Sequence, residues 1–189
     1  MSYRLNDPDG SRTTEEAIHN IKSRTLKEHI VQLVILVDLK QRHTESVTIT
    51  DYGIDNSGNF ISDEKLISAK PDWLIQVGDK AFPTEVCVHS EKFNIVSFKS
   101  VKLERLCRNS NNRIFVIREN YYLSFDSNCA SKILDCIPVQ TIPKIYGGKP
   151  SIILDMTVIN YMINNGNIKK LNYFDESLRL MNSLSWIFA

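Results

Sequence analysis

Residues 69–89 decide the fold of this chain, and they read AKPDWLIQVGDKAFPTEVCVH. Apolar and polar residues alternate on both sides of Gly78 and Asp79, which predicts two short strands joined by a tight turn. Asp72 opens the first strand and Glu85 lies inside the second. A hairpin can bring these two carboxylates together at one end of a sheet. Because adjacent carboxylates repel each other, such a pair takes up a proton or binds a cation, and Mg²⁺ or Mn²⁺ suits oxygen ligands best.

The composition is that of an ordinary globular domain. Of 189 residues, 42% are hydrophobic and 24% are charged, which suits one domain with a substantial core. The formal net charge is +1, so a nucleic-acid-binding surface has to be a local basic patch balanced by acidic regions elsewhere. The chain shows no apolar run of about 18–20 residues, no signal peptide and no C-x-x-C pair. We therefore expect an intracellular protein with reduced cysteines and no membrane partner.

The spacing of apolar residues predicts a mixed α/β fold. Up to residue 125 the expected order is helix, strand, strand, strand, helix, strand, and residues 1–12 form a loose arm. Residues 126–189 are expected to form a helical C-terminal extension packed on the same domain. The predicted helices cover 13–22, 23–40 (the first two either separate or continuous), 98–108, 130–137, 155–163 and 175–186; the predicted strands cover 47–50, 72–77, 84–89, 94–96, 113–119, 121–125 and 151–154.

Pro71-Asp72 followed by Glu85-Val86 resembles the motif of the PD-(D/E)XK nuclease superfamily. That motif is a proline and an aspartate, a turn, and then an acidic residue, any residue and a lysine. The order of predicted elements is also similar to the family core, a restriction-endonuclease-like mixed sheet flanked by helices. The resemblance covers residues 23–125. The chain departs from the motif at Cys87, which stands where the family has its lysine.

The resemblance implies a metal-dependent endonuclease that hydrolyses phosphodiester bonds in duplex DNA. Asp72, Glu85 and the backbone carbonyl of Val86 would hold Mg²⁺ or Mn²⁺, which activates water and stabilises charge on the phosphate. Turn capping by Asp72 and a solvated edge position for Glu85 are the non-functional explanations. Glu28 on the long helix is a further acidic candidate and Glu16 its runner-up. Both are equally explained as exposed helix glutamates paired with a lysine.

The missing lysine has to come from a neighbouring element. Lys99 is the preferred candidate, Lys102 the second, and Lys92 in the preceding loop a third. His89 lies on the same strand face as Glu85 and is a candidate base or ligand. A strand-end imidazole bonded to a backbone carbonyl is the more common situation.

Four basic residues recur at intervals of three on the helix predicted over residues 98–108: Lys99, Lys102, Arg105 and Arg108. Such a stripe suits contacts with DNA phosphates, and it is equally typical of a solvated helix face. The apolar residues at positions 186–188 dock on their own domain or, less often, on a second subunit of a homodimer.

Two other functions are compatible with these residues. Because Cys87 replaces the lysine, the chain can be a catalytically degenerate member that binds nucleic acid or assembles with partners. A viral RNA endonuclease of the cap-snatching type has a similar acidic spacing and often uses a histidine, which His29 or His43 could supply. The basic helix favours DNA over this last alternative.

Overall fold

The computed structural model describes residues 14–52, 71–89, 94–142 and 149–185, with side chains in the first helix from residue 26 onward. The chain is mixed α/β and divides into two compact units. Unit 1 combines residues 1–81 with 173–189, and unit 2 comprises residues 82–172. Neither boundary coincides with the one predicted at residue 125.

The secondary structure elements follow the predicted order with two additions: a full strand at Ile95–Lys99, where only a short β-like run was expected, and an unpredicted strand at Lys169–Asn172. None of the described helices is long and apolar enough to cross a membrane. In chain order the elements are α1 (Thr14–Arg42), β1 (Val47–Asp51), β2 (Trp73–Val77), β3 (Lys80–Val88), β4 (Ile95–Lys99), α2 (Ser100–Cys107), β5 (Arg113–Ile117), β6 (Tyr121–Phe125), α3 (Ser127–Cys136), β7 (Ser151–Asp155), α4 (Met156–Asn164), β8 (Lys169–Asn172) and α5 (Asp175–Ser183).

Unit 1 pairs β1 and β2 antiparallel, and α1 packs against β1 and α5. α1 is one continuous helix, so the two helices predicted over 13–22 and 23–40 are a single element. In β2, Trp73, Ile75 and Val77 are buried, which confirms the predicted inward face. The predicted turn is also confirmed: Gly78 has a φ of +57°, a conformation that favours glycine, and its N–H donates to the carbonyl of Ser46.

Unit 2 contains a mixed sheet and a separate strand pair. β3 runs parallel to β5, β5 pairs antiparallel with β6, and β6 pairs antiparallel with β8. β4 pairs antiparallel with β7. Because β7 and β8 pair with strands that precede residue 126, the C-terminal third supplies strands to the fold and is more than a helical extension.

A single hydrophobic cluster fills unit 2 between the sheet and its helices. It joins Ile114, Val116, Leu123 and Phe125 of the sheet to residues of α2, α3, α4 and the β4–β7 pair. Phe98 and Phe125 meet edge to face, with ring centroids 5.2 Å apart. The rings and aliphatic side chains therefore place α2 against one face of the sheet.

The helix predicted over residues 98–108 is shorter than expected. Val96 and Phe98 are fully buried on alternate positions of β4, so the strand continues to Lys99 and α2 begins only at Ser100. Lys99 and Arg108 are therefore the residues flanking α2, and of the predicted stripe only Lys102 and Arg105 lie within the helix. The predicted arm (1–12), Lys92 and residues 186–189 lie outside the described residues.

Candidate functional site

The strongest contact at a predicted site residue joins β3 to α2. Lys102 Nζ lies 2.5 Å from Glu85 Oε2, and the two side chains are 26% and 15% exposed. An ion pair at this depth is screened less by water than one on the open surface. The second candidate for the missing lysine, rather than the preferred Lys99, is thus the one that reaches the motif glutamate.

The sheet register explains why Glu85 meets α2. Glu85 pairs with Ile114 and Cys87 with Val116, and paired residues project to the same face of a sheet. Ile114 and Val116 belong to the hydrophobic cluster that α2 completes. Cys87 packs against the same cluster. Glu85 projects from the same face two residues nearer the start of β3, where it meets Lys102. A lysine at position 87 would have to place its stem, and with it a cation, against apolar side chains.

Lys99 lies at the end of a strand and not on a helix. It is the last residue of β4, pairs with Ser151 and precedes the first turn of α2 without capping it through its side chain. No contact between Lys99 and Glu85 is found among the described residues. The sequence prediction, which placed Lys99 at the start of a helix, is therefore wrong.

His89 and Arg118 follow β3 and β5 at the carboxyl ends of these parallel strands. The His89 N–H donates to the carbonyl of Ile117 at 3.1 Å, which extends the ladder by one residue. Burial, and secondarily the charge of Arg118, lowers the pKa of His89 to about 4 from its ordinary value of 6.5. His89 is therefore a neutral imidazole at physiological pH, with a ring nitrogen that can accept a hydrogen bond or bind a metal ion.

Arg118 is a feature that the sequence reading missed. It is only 4% exposed, and its Nη2 lies 3.4 Å from the sulfur of Met156. Its position was readable in the sequence, because Ile114, Val116 and Arg118 occupy every second position and therefore share one face of the strand. The arginine places a permanent charge beside His89.

Two predicted acidic ligands lie in unit 1. Asp72 immediately precedes β2 and is 9% exposed, and its carbonyl accepts the N–H of Tyr52 at 3.0 Å. Glu28 is 8% exposed, so the expectation of an ordinary exposed helix glutamate is wrong for this residue. The side chain of Glu16 lies outside the described residues. Glu85 and Val86, by contrast, belong to unit 2.

The predicted metal ligands differ in how well they fit a hard cation. One oxygen of Glu85 accepts from Lys102, and the other has no hydrogen-bond partner among the described residues. Val86 is 6% exposed and pairs with Phe115 inside the sheet. Within the described ranges, no three His, Cys, Asp or Glu side chains converge as a ready ligand set.

The remaining predicted residues are dispersed. His29 Nε2 lies 3.5 Å from Asp51 Oδ2 at an exposed position of unit 1, and His43 is exposed after the end of α1. Arg108 is exposed and Arg105 half-buried. Tyr122 is fully buried and its ring lies 5.1 Å from that of Phe115, so it offers no exposed aromatic surface.

The two units differ in charge. Unit 2 carries twelve lysines and arginines against seven aspartates and glutamates, a formal net charge of +5, whereas unit 1 carries eleven against fifteen, a charge of −4. The near-neutral chain is therefore a basic unit and an acidic unit in one polypeptide, as its net charge of +1 allows. A basic body of this size attracts polyanions.

No family model, curated protein or solved structure matches this chain. Its function is therefore inferred from its own residues and contacts.

Proposed function

We propose that this protein is a divalent-metal-dependent nuclease that hydrolyses phosphodiester bonds in DNA, with Lys102 in place of the motif lysine. The observation that carries the proposal is the 2.5 Å contact between Lys102 Nζ and Glu85 Oε2. It supplies an ammonium beside the motif acid, although Cys87 leaves the usual lysine position without a charge.

Each residue has a distinct role in the proposal. Glu85 binds the cation through the carboxylate oxygen that does not accept from Lys102. Lys102 holds Glu85 in place and neutralises a phosphate that approaches it. When bound, Mg²⁺ or Mn²⁺ supplies an activated water and stabilises charge on the phosphate oxygens.

The charge distribution supports a nucleic acid as the substrate. Glu85 and Lys102 both lie in unit 2, the body with a formal net charge of +5. A phosphodiester backbone would approach a basic unit more readily than an acidic one, because counterion release favours binding there.

Nicking of a supercoiled plasmid with Mn²⁺ or Mg²⁺ tests the proposal. Glu85→Gln and Lys102→Met should each reduce the nicking rate by about 100-fold or more, the usual effect of removing one group that stabilises charge in the transition state. Lys99→Gln separates the two lysines and should retain nicking. Lys40→Gln, at an exposed position of α1, is the matched control. Full nicking by the Glu85 variant would refute the assignment.

A second candidate function is nucleic-acid binding without cleavage. It is favoured by Cys87, which packs against the hydrophobic cluster and leaves Lys102 as the partner of Glu85. In that case the ion pair is structural and the basic unit alone recognises the nucleic acid. Tight binding of DNA without nicking in any divalent ion would establish this function.

A further inference from the structure

A second group of lysines lies at the edge of the unit 2 sheet, away from Glu85. Lys169 and Lys170 are exposed on β8, the last strand in the order β3–β5–β6–β8. Lys132, exposed on α3, contacts the side-chain oxygen of Asn167, two residues before Lys169. We call Lys132, Lys169 and Lys170 the edge patch. Because neighbours on a strand project to opposite faces, Lys170 lies on the sheet face that carries Glu85 and Lys169 on the other, so the two lysines flank the sheet edge.

Neutral partners hold the edge patch in place. Lys170 Nζ lies 4.1 Å from the centroid of the Tyr121 ring, and Lys132 bonds to the amide oxygen of Asn167. These contacts orient the ammonium groups without cancelling their charge. None of the three lysines forms an ion pair with a carboxylate among the described residues.

The surrounding sequence also lacks negative charge. No aspartate or glutamate occurs from position 156 to position 172, the segment that contains α4 and β8. The contrast with Lys102 is direct, because that lysine is compensated by Glu85 at 2.5 Å. The edge patch is therefore a concentration of uncompensated positive charge within the basic unit.

We propose that the edge patch binds the phosphates of a polynucleotide, so that the substrate of unit 2 extends several nucleotides beyond Glu85. β8 is three strand spacings from β3, about 14 Å across the sheet. Each strand of a nucleic acid carries one phosphate per about 3.4 Å of axis, so the edge patch meets phosphates about four nucleotides from those at Glu85. The inference rests on the nucleic-acid part of the proposed function and not on cleavage.

Lysines on an edge strand have another use, because they prevent pairing with the edge of a second molecule. The two roles predict different salt dependence. Phosphate contacts release counterions, and each lost contact makes the dependence of binding on salt less steep. A purely protective lysine leaves that dependence unchanged.

Fluorescence anisotropy with labelled oligonucleotides distinguishes these roles. Single strands of about 20 nucleotides and duplexes of the same length are titrated in EDTA from about 50 to 300 mM KCl, a range over which phosphate contacts dominate the salt effect. Lys169→Gln/Lys170→Gln should reduce the slope of log K against log salt by about 1.4 for single strands or 1.8 for duplexes. Lys27→Gln/Lys40→Gln removes the same charge from α1 of unit 1 and should leave the slope unchanged.

An unchanged slope in the β8 variant, with its unfolding curve intact, would overturn the proposal, and so would failure of the wild-type protein to bind either oligonucleotide. Because EDTA prevents metal-dependent cleavage, the result is independent of whether the protein is a nuclease. A reduced slope together with absent nicking would keep the edge patch and reject the catalytic assignment.

Discussion

The pH dependence of stability should reveal the partly buried, neutral state of His89. Its pKa of about 4 lies below its ordinary value of 6.5, because burial and the charge of Arg118 disfavour the imidazolium. Between these two values the unfolded chain binds a proton that the folded protein does not. His89 therefore stabilises the fold above pH 6.5, and this contribution is lost as the pH falls toward 4.

The size of the effect follows from the two pKa values. Each pH unit between 6.5 and about 4 changes the free energy of unfolding by about 1.4 kcal/mol per proton, so the complete loss is about 3 kcal/mol. Between pH 6 and pH 5, where most carboxylates stay ionised, the loss from His89 alone is about 1 kcal/mol.

Urea unfolding at a series of pH values measures this contribution, with far-UV circular dichroism as the signal, because the secondary structure of the unit that contains His89 contributes to it. His89→Gln cannot take up the proton, so its free energy of unfolding should fall by about 1 kcal/mol less than that of the wild type between pH 6 and pH 5. His43→Gln, at an exposed position, should retain the wild-type slope. Parallel slopes for wild type and His89→Gln would refute the partly buried, neutral imidazole.

Three further predictions concern other buried groups. Asp38 is fully buried and accepts hydrogen bonds from Arg42 at 2.8 and 3.1 Å, so Asp38→Ala should lower the free energy of unfolding in urea by about 3 kcal/mol. Cys87→Lys restores the motif but places an ammonium against the hydrophobic cluster. It should lower the free energy of unfolding by about 2 kcal/mol without faster nicking. An increased nicking rate would contradict the role of Lys102. Burial raises the pKa of Cys129 to about 12, so iodoacetamide at mildly alkaline pH should modify the exposed Cys136 first, and peptide mass spectrometry showing the reverse order would contradict the burial.

Much of the local structure was predictable because it depends on neighbours in sequence. Alternation in the segment Trp73–Val77 and the turn at Gly78 led to the observed strand and its end, and the apolar run Ile114–Ile117 led to β5. The extent of β4 was not predictable in the same way, since it pairs with β7, more than fifty residues later. Periodicity over a few residues does not report a partner at that distance.

The candidate site shows the same division. The sequence alone indicated Glu85, the absence of a lysine at Cys87 and the need for a cation from another element. Only the tertiary structure shows that Lys102 is the lysine that contacts Glu85, because the strand register directs Glu85 toward α2. Lys99 instead ends β4, where it pairs with Ser151.

What the sequence by itself determined is the set of short elements and the chemistry available to them. The tertiary structure decided which charges meet and which stay uncompensated. The pairing of Lys102 with Glu85, the partial burial of His89 beside Arg118 and the open charge of Lys169 and Lys170 all arise from strands brought together by the fold. The physical reason is that charge interactions depend on distance and burial, and both are set by segments far apart in the chain.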